Sequence, residues 1–203
     1  MQNFSFYSPT YFSFGKDAEN NAGTLVKRFG GTKVLIHYGG GSVVRSGLLD
    51  RVKQSLEKEN IPYAELGGVK PNPRSGLVYE GIELCRKENV DFILAVGGGS
   101  TIDCAKGIAA KAVHPKKTVA QLQGLLKVHW PIPPFVAIPT TAGAGSETTV
   151  AAVITDSATH RKAAINDPFL IPKYAVLDPE LTKGLPPYTT ATTGMDALAH
   201  AVE

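Results

Sequence analysis

The stretch Phe92-Ile-Leu-Ala-Val-Gly-Gly-Gly-Ser-Thr-Ile-Asp103 limits what this chain can fold into more than any other. Five apolar residues run into three glycines, and a helical pattern follows, so it reads as a buried strand, a tight turn and a helix. Such a junction aims backbone N–H groups and the positive end of a helix dipole at one point, where an anion can sit. The anion expected there is the diphosphate of a dinucleotide. Ser100 and Asp103 also fit a capping box in outline, which would make the turn only a helix start. The string is not the G-x-G-x-x-G fingerprint and says little standing alone.

The same unit recurs along the chain. Lys33-Val-Leu-Ile-His-Tyr38 reads as a buried strand closed by Gly39-Gly-Gly-Ser42. A helix follows, with Val44, Leu48, Leu49, Val52 and Leu56 as its apolar stripe. Ile61 to Leu66 is a further strand, Pro71-Asn72-Pro73 an extended turn, and Arg74 to Asn89 a helix that buries Leu77, Ile82, Leu84 and Cys85. A short helix is expected around Val119–Leu126. Phe135 to Ile138 is a buried strand running into the hydroxyl- and glycine-rich loop Pro139–Glu147. Val150–Thr155 and Arg161–Ile165 form a β-hairpin, Tyr174–Leu177 a last strand, Tyr11–Phe14 a short first one, and Asp17–Phe29 a helix. This alternation predicts right-handed crossovers and a Rossmann-like, doubly wound parallel α/β sheet carrying a β-hairpin. The proline pair at 186–187 marks the boundary expected between a dinucleotide-binding domain, 1–185, and a second unit whose first helix is Tyr188–Glu203.

Charge and composition narrow the partners. Lys and Arg number 21 against 18 Asp and Glu, and the basic residues are scattered, so neither nucleic acid nor an anionic membrane is an expected partner. Cys85 and Cys104 are too far apart for a C-x-x-C motif and read as free thiols of a reducing compartment. Met1-Gln-Asn-Phe-Ser-Phe6 has no secretory h-region, and no apolar run spans a bilayer, so the expected location is the cytoplasm.

Three further features carry chemistry. Gly39–Ser42 ends a parallel strand where an adenosine ribose would be read, and it has no carboxylate to bond a 2′-hydroxyl. With Ser42 and Arg45 nearby, a 2′-phosphate would meet donors and no repulsion, which predicts NADP(H) over NAD(H). Pro139-Thr-Thr-Ala-Gly-Ala-Gly-Ser146 offers three hydroxyls at another strand end, and Lys162 on the hairpin could add a cation, although a surface lysine is usually just solvated. Asp196 and His200 stand four apart on one helix face, a donor pair suited to Zn²⁺ or Fe²⁺, but two ligands do not complete a site.

Taken together, Phe14-Gly15, Pro71-Asn72-Pro73, Gly97-Gly-Gly-Ser-x-x-Asp103-x-x-Lys106, Pro139-Thr-Thr-Ala-Gly-x-Gly-Ser-Glu147, Asp178-Pro179 and Asp196-x-x-x-His200 resemble the iron-containing (group III) alcohol dehydrogenases. Tyr38-Gly-Gly-Gly-Ser42 and Leu177-Asp-Pro179 look most like the NADPH-dependent aldehyde reductase and butanol dehydrogenase branch. The likeness runs from about Phe4 to Glu203. It implies a Rossmann-like domain followed by an all-helical one, with the active site between them. By the same resemblance, Gly40, Ser42, Asn72, Gly98, Gly99, Ser100, Asp103, Thr140, Thr141, Ser146, Thr149 and Lys162 match positions around the dinucleotide. Asp196 and His200 match the first two of four ligands, an Asp and three His, to Fe²⁺ or Zn²⁺. The implied reaction is hydride transfer between NADP(H) and a small alcohol or aldehyde, in a homodimer paired through the N-terminal strand. The remaining two histidines lie in a half that the family has and these 203 residues do not. The chain is therefore expected to be the cofactor half of a larger enzyme, inactive alone, and no catalytic base is assigned within it. Two alternatives stand beside this: a sister enzyme of the glycerol dehydrogenase or dehydroquinate synthase kind, and a non-catalytic nucleotide-binding module.

Overall fold

A computed structural model describes residues 3, 5 and 7–202. Met1, Gln2, Phe4, Phe6 and Glu203 lie outside the described residues, and with them both ends of the resemblance and the last position of the expected C-terminal helix.

The described strands are β1 (Tyr11–Phe14), β2 (Val34–Tyr38), β3 (Tyr63–Leu66), β4 (Phe92–Gly97), β5 (Gly124–Leu125), β6 (Phe135–Pro139), β7 (Ala151–Thr155), β8 (Lys162–Asn166) and β9 (Tyr174–Leu177). The helices are α1 (Ala22–Arg28), α2 (Ser42–Arg45), α3 (Leu48–Lys58), α4 (Ser75–Glu88), α5 (Gly99–Ala112), α6 (Val119–Leu122) and α7 (Pro187–Val202). Six strands form one sheet in the order β1-β9-β6-β4-β2-β3, with every neighbouring pair parallel. From β2 the chain steps outward to β3, then crosses back to β4 and continues to β6 and β9. The direction of winding thus reverses between β2 and β4. In open α/β sheets the strand ends at that reversal part to leave a crevice.

The two faces of the sheet carry separate cores, as the period of two in a strand requires. Leu35, Ile93, Ala95, Phe135 and Ala137 face α4 and α5, whose Val78, Ile82, Ile102 and Ile108 are buried with them. Val34, Ile36, Phe92, Leu94 and Val96 face α1 and α3. A small second sheet, β5-β8-β7, packs outside α5, so Ala152, Ile154 and Ile165 join the first core. Helix α5 is therefore sandwiched between two sheets. Gly107 marks the closest approach, since a Cβ there would overlap Ile154.

Four expectations need correction. The helix after β2 is two helices, because Gly47 adopts φ +71° and turns the chain before α3 begins. That break shifts the phase, so Val43 is buried while the expected stripe residue Val44 is half exposed. The segment from Asp17 opens as a 3-10 turn, Ala18–Asn21, before α1. The short helix stops at Leu122, and Gly124–Leu125 pairs with β8 instead. No capping box forms at Ser100: α5 is preceded by extended Gly98 and has no side-chain cap, while Asp103 accepts from the Val153 N–H at 3.1 Å. Both cysteines are free, Cys104 buried and Cys85 partly so. Among the described residues no helix is long and apolar enough to cross a membrane.

His37 on β2 is fully buried, with Nδ1 donating to the Leu66 carbonyl at 2.9 Å and Nε2 unpartnered. Burial lowers its pKa from 6.5 to about 4. Between these values the unfolded chain binds a proton that the folded chain refuses, so stability is full above pH 6.5 and falls toward pH 4. The expected loss is about 3 kcal/mol. Urea midpoints measured across that range should fall for the wild type and stay flatter for His37→Gln. Parallel pH curves for the two proteins would refute the assignment.

Candidate functional site

At the reversal point, the Gly39–Ser42 turn leaves β2 and the Gly97–Ser100 turn leaves β4. The first N–H groups of any α-helix lack intrahelical partners, and α5 offers them no side-chain cap. Thr101 N turns back to Gly98 O at 2.9 Å, which leaves the Gly99 and Ser100 N–H groups at the mouth of the turn. Gly97 takes φ +156°, and a Cβ on it would sit 2.5 Å from Thr101 Oγ1. Residues with side chains would close this turn.

The Pro139–Ser146 loop lies directly on it. Thr140 N donates to Gly97 O at 3.2 Å. A Cβ on Gly98 would meet Thr141 Oγ1 at 2.9 Å, and one on Gly99 would meet Ser146 Oγ at 3.1 Å. The structure thus brings Gly98, Gly99, Ser100, Thr140, Thr141 and Ser146 together, although nearly 40 residues separate the two loops. Gly40 borders open space. Ser42 and Thr140 line one cavity of about 260 Å³, and Thr141, Leu177 and Thr182 line a second of about 160 Å³. Arg45 folds back so that its Nη1 is 2.6 Å from where a Cβ on Gly41 would lie. A guanidinium, and no carboxylate, therefore sits on the turn after β2.

The other predicted residues fall into two groups. Asn72, at φ +58°, accepts from Lys162 Nζ at 2.6 Å, which links the Pro71–Pro73 turn to β8. Asp103 and Thr149 lie behind the turn. Burial raises the Asp103 pKa, against the pull of the Val153 N–H, the Lys106 charge and the Ser146 hydroxyl. Thr149 accepts from Lys106, the residue that sequence reasoning quoted in a motif and gave no role. Lys106 is fully buried, and its ammonium donates to Thr149 O at 2.7 Å, Thr149 Oγ1 at 3.3 Å and Ala151 O at 2.9 Å. Burial lowers its pKa to about 8. The sequence did hold a signal: a lysine amid Ile102, Cys104, Ala105 and Ile108, where a buried stripe was due.

Helix α7 closes the group from the other side. Gly143 has φ +108°, and a Cβ there would lie 2.7 Å from Asp196 Oδ2 and 3.0 Å from Thr193 O. Asp196 Oδ1 and His200 Nε2 are 3.8 Å apart, both about half exposed. A carboxylate oxygen and an imidazole nitrogen so placed fit one Fe²⁺ or Zn²⁺. Among the described residues no third His, Cys, Asp or Glu joins them.

Comparison with known proteins places the chain in a family. The family model described as iron-containing alcohol dehydrogenase matches residues 9–179. Alcohol dehydrogenase 4 of Schizosaccharomyces pombe is 45% identical over 199 residues, covering 98% of this chain and 47% of that protein. NADH-dependent butanol dehydrogenase A of Clostridium acetobutylicum is 40% identical over 203 residues, 100% of this chain and 52% of that one. The crystal structure of NADH-dependent butanol dehydrogenase A from Thermotoga maritima superposes with a TM-score of 0.93 at 36% identity, over all of this chain and 51% of that one. The chain spans about half the length of the curated relatives it matches.

Lys106→Met removes the ammonium that donates to the Thr149 and Ala151 carbonyls at the start of β7 and should destabilise the chain by about 1–3 kcal/mol in thermal or urea unfolding. Lys106→Arg should not restore the loss, because a planar fork cannot reproduce three converging bonds. An unchanged unfolding midpoint in Lys106→Met would show that the buried ammonium costs as much as its bonds return.

Proposed function

The chain belongs to the iron-containing alcohol dehydrogenase family, and on that premise we propose that it is the dinucleotide-binding half of a metal-dependent alcohol dehydrogenase or aldehyde reductase. The substrate class is a primary alcohol or aldehyde. The observation that carries this reading is the meeting of the uncapped α5 N-terminus with the Thr140–Ser146 loop at the winding reversal. When bound, the dinucleotide carries the hydride at nicotinamide C4, and a metal polarises the substrate oxygen.

The residues of this chain bind and orient. The N–H groups of Gly98, Gly99 and Ser100 hold the diphosphate, with the Thr140, Thr141 and Ser146 hydroxyls around it. Asn72 and Lys162 bracket the far side of the groove. Lys106, through Thr149, and Asp103, through the Val153 N–H, fix the hairpin against α5 and so keep that groove in shape. Asp196 and His200 would hold Fe²⁺ or Zn²⁺ beside Gly143. Residues 187–202 then belong to a second, metal-binding unit. The free edge of β1, with Tyr11, Phe12 and Phe14 exposed, supports pairing with a second copy.

For the cofactor we favour NADP(H), although two of the relatives above are named NADH-dependent. The support is local: the turn after β2 presents Gly40, Ser42 and the Arg45 guanidinium where an NAD-selective site would place an acid. Calorimetric titration with NADPH and NADH tests both readings. NADPH should bind at least tenfold more tightly, and Arg45→Ala should weaken NADPH by about tenfold while leaving NADH nearly unchanged. Tight NADH binding with no NADPH preference would overturn the cofactor choice. Binding of neither would overturn the function.

A further inference from the structure

At the edge of the crevice, Asp17, Glu19 and Asp178 converge near the turn that follows β1. One ligand oxygen from each lies within 4.8 Å of the other two. They come from separate parts of the fold: Asp17 from just before the 3-10 turn, Glu19 from within it, and Asp178 from just after β9. The backbone holds them in place. Asp17 sits at φ 60°, and its N–H donates to Asp178 Oδ2 at 2.8 Å, while Asp178 Oδ1 accepts from Glu180 N at 2.8 Å.

A second observation makes this more than an acidic cluster. The Glu19 side chain has no exposure, and its Oε2 has no hydrogen-bond partner. A buried carboxylate oxygen left without a donor is costly, and folds rarely keep one unless something occupies it. Glu19 Oε1 is already taken by Arg51 Nε at 2.7 Å. Arg51 is the cation paired into the group, and Glu180 outside it is neutralised by Lys183 at 2.6 Å. Three carboxylates against one guanidinium leave two negative charges. Asp17, Arg51 and Asp178 also line the 260 Å³ cavity, which supplies an entry path and room for water ligands.

The geometry points to a binding site for a hard divalent cation of the Ca²⁺ or Mg²⁺ type, held by Asp17, Glu19 and Asp178. The donors are all oxygen, with no nitrogen or sulfur to favour a softer metal. An ion there ties the exit of β1 to the exit of β9 and, through Glu19 and Arg51, to α3. It acts on stability and on the wall that the cavity shares with Ser42 and Thr140. It is independent of Asp196 and His200.

Thermal unfolding of the chain during titration with CaCl₂ and, separately, MgCl₂ tests this. One of the two ions should raise the midpoint by about 3–6 °C once its free concentration is tenfold above the dissociation constant. The rise should persist in a variant carrying Asp196→Ala and His200→Ala, and it should be lost in Asp17→Asn. Asp17 is exposed and its backbone, not its carboxylate, bonds Asp178, so that variant keeps the fold. Glu19→Gln checks the buried oxygen, and its response should also be lost. No shift with either ion up to about 10 mM, beyond the weakest protein calcium sites, would overturn the proposal. So would an undiminished shift in Asp17→Asn, or one abolished by the Asp196/His200 changes.

Discussion

Helix α5 is buried on almost every side, and that constraint organises the site. A helix packed between two sheets cannot turn its polar groups to water, so each must find a fixed partner. Asp103 finds the Val153 N–H, and Lys106 finds the carbonyls of Thr149 and Ala151. At the N-terminus Thr101 N turns back to Gly98 O at 2.9 Å, and among the described residues no side chain caps the helix. The Gly99 and Ser100 N–H groups open on the crevice between β2 and β4, where an anion can satisfy them. The same burial that clamps the body of the helix leaves its N-terminal end as the part of α5 where an anion can bind.

Much of this was legible in the sequence because burial writes itself as composition. Strands buried on both faces appear as uninterrupted apolar runs, so β2, β4 and β6 were placed to within a residue or two. The glycine turns marked where backbone approaches backbone. What the sequence hid depended on phase or on distant partners. Gly47 looked like an ordinary helix residue, and only its positive φ reveals that the apolar stripe restarts at Leu48. Ser100 and Asp103 had the spacing of a capping box, but Asp103 is drawn away by a strand 50 residues on. No local pattern could have joined Asp17 and Glu19 to Asp178, because that contact exists only after β1 pairs with β9.

Charges of both signs surround the cavity beside Ser42. Arg45 lies over the nearby turn after β2, while Asp17, Asp178 and Glu180 line the cavity together with Arg51. A dinucleotide with an added 2′-phosphate would feel both signs at once. Attraction to the guanidinium falls off over a Debye length of about 8 Å in physiological salt, so placement within the turn matters more than net charge. Neutralising the acidic side chains with a divalent ion would favour anion binding nearby without any contact to the cofactor. Cofactor choice and ion occupancy are in this sense linked through one cavity.

The contact between Gly143 and Asp196 carries the last step. Gly143 holds φ +108° in a loop that also covers Gly98 and Gly99, and only a residue without Cβ lets α7 come so near. A shift of the loop on binding a diphosphate therefore moves the surface against which Asp196 rests. The reverse also holds, since fixing Asp196 to a metal fixes the loop. Linkage of this kind is reciprocal by thermodynamic necessity, so whatever one ligand gains from the other's presence, the other gains equally. Were both ligands bound, the short path from Ser146 through Gly143 to Asp196 would be the physical route of that coupling. Asp196 and the glycine turn after β4, about a hundred residues apart in sequence, thus meet on one loop.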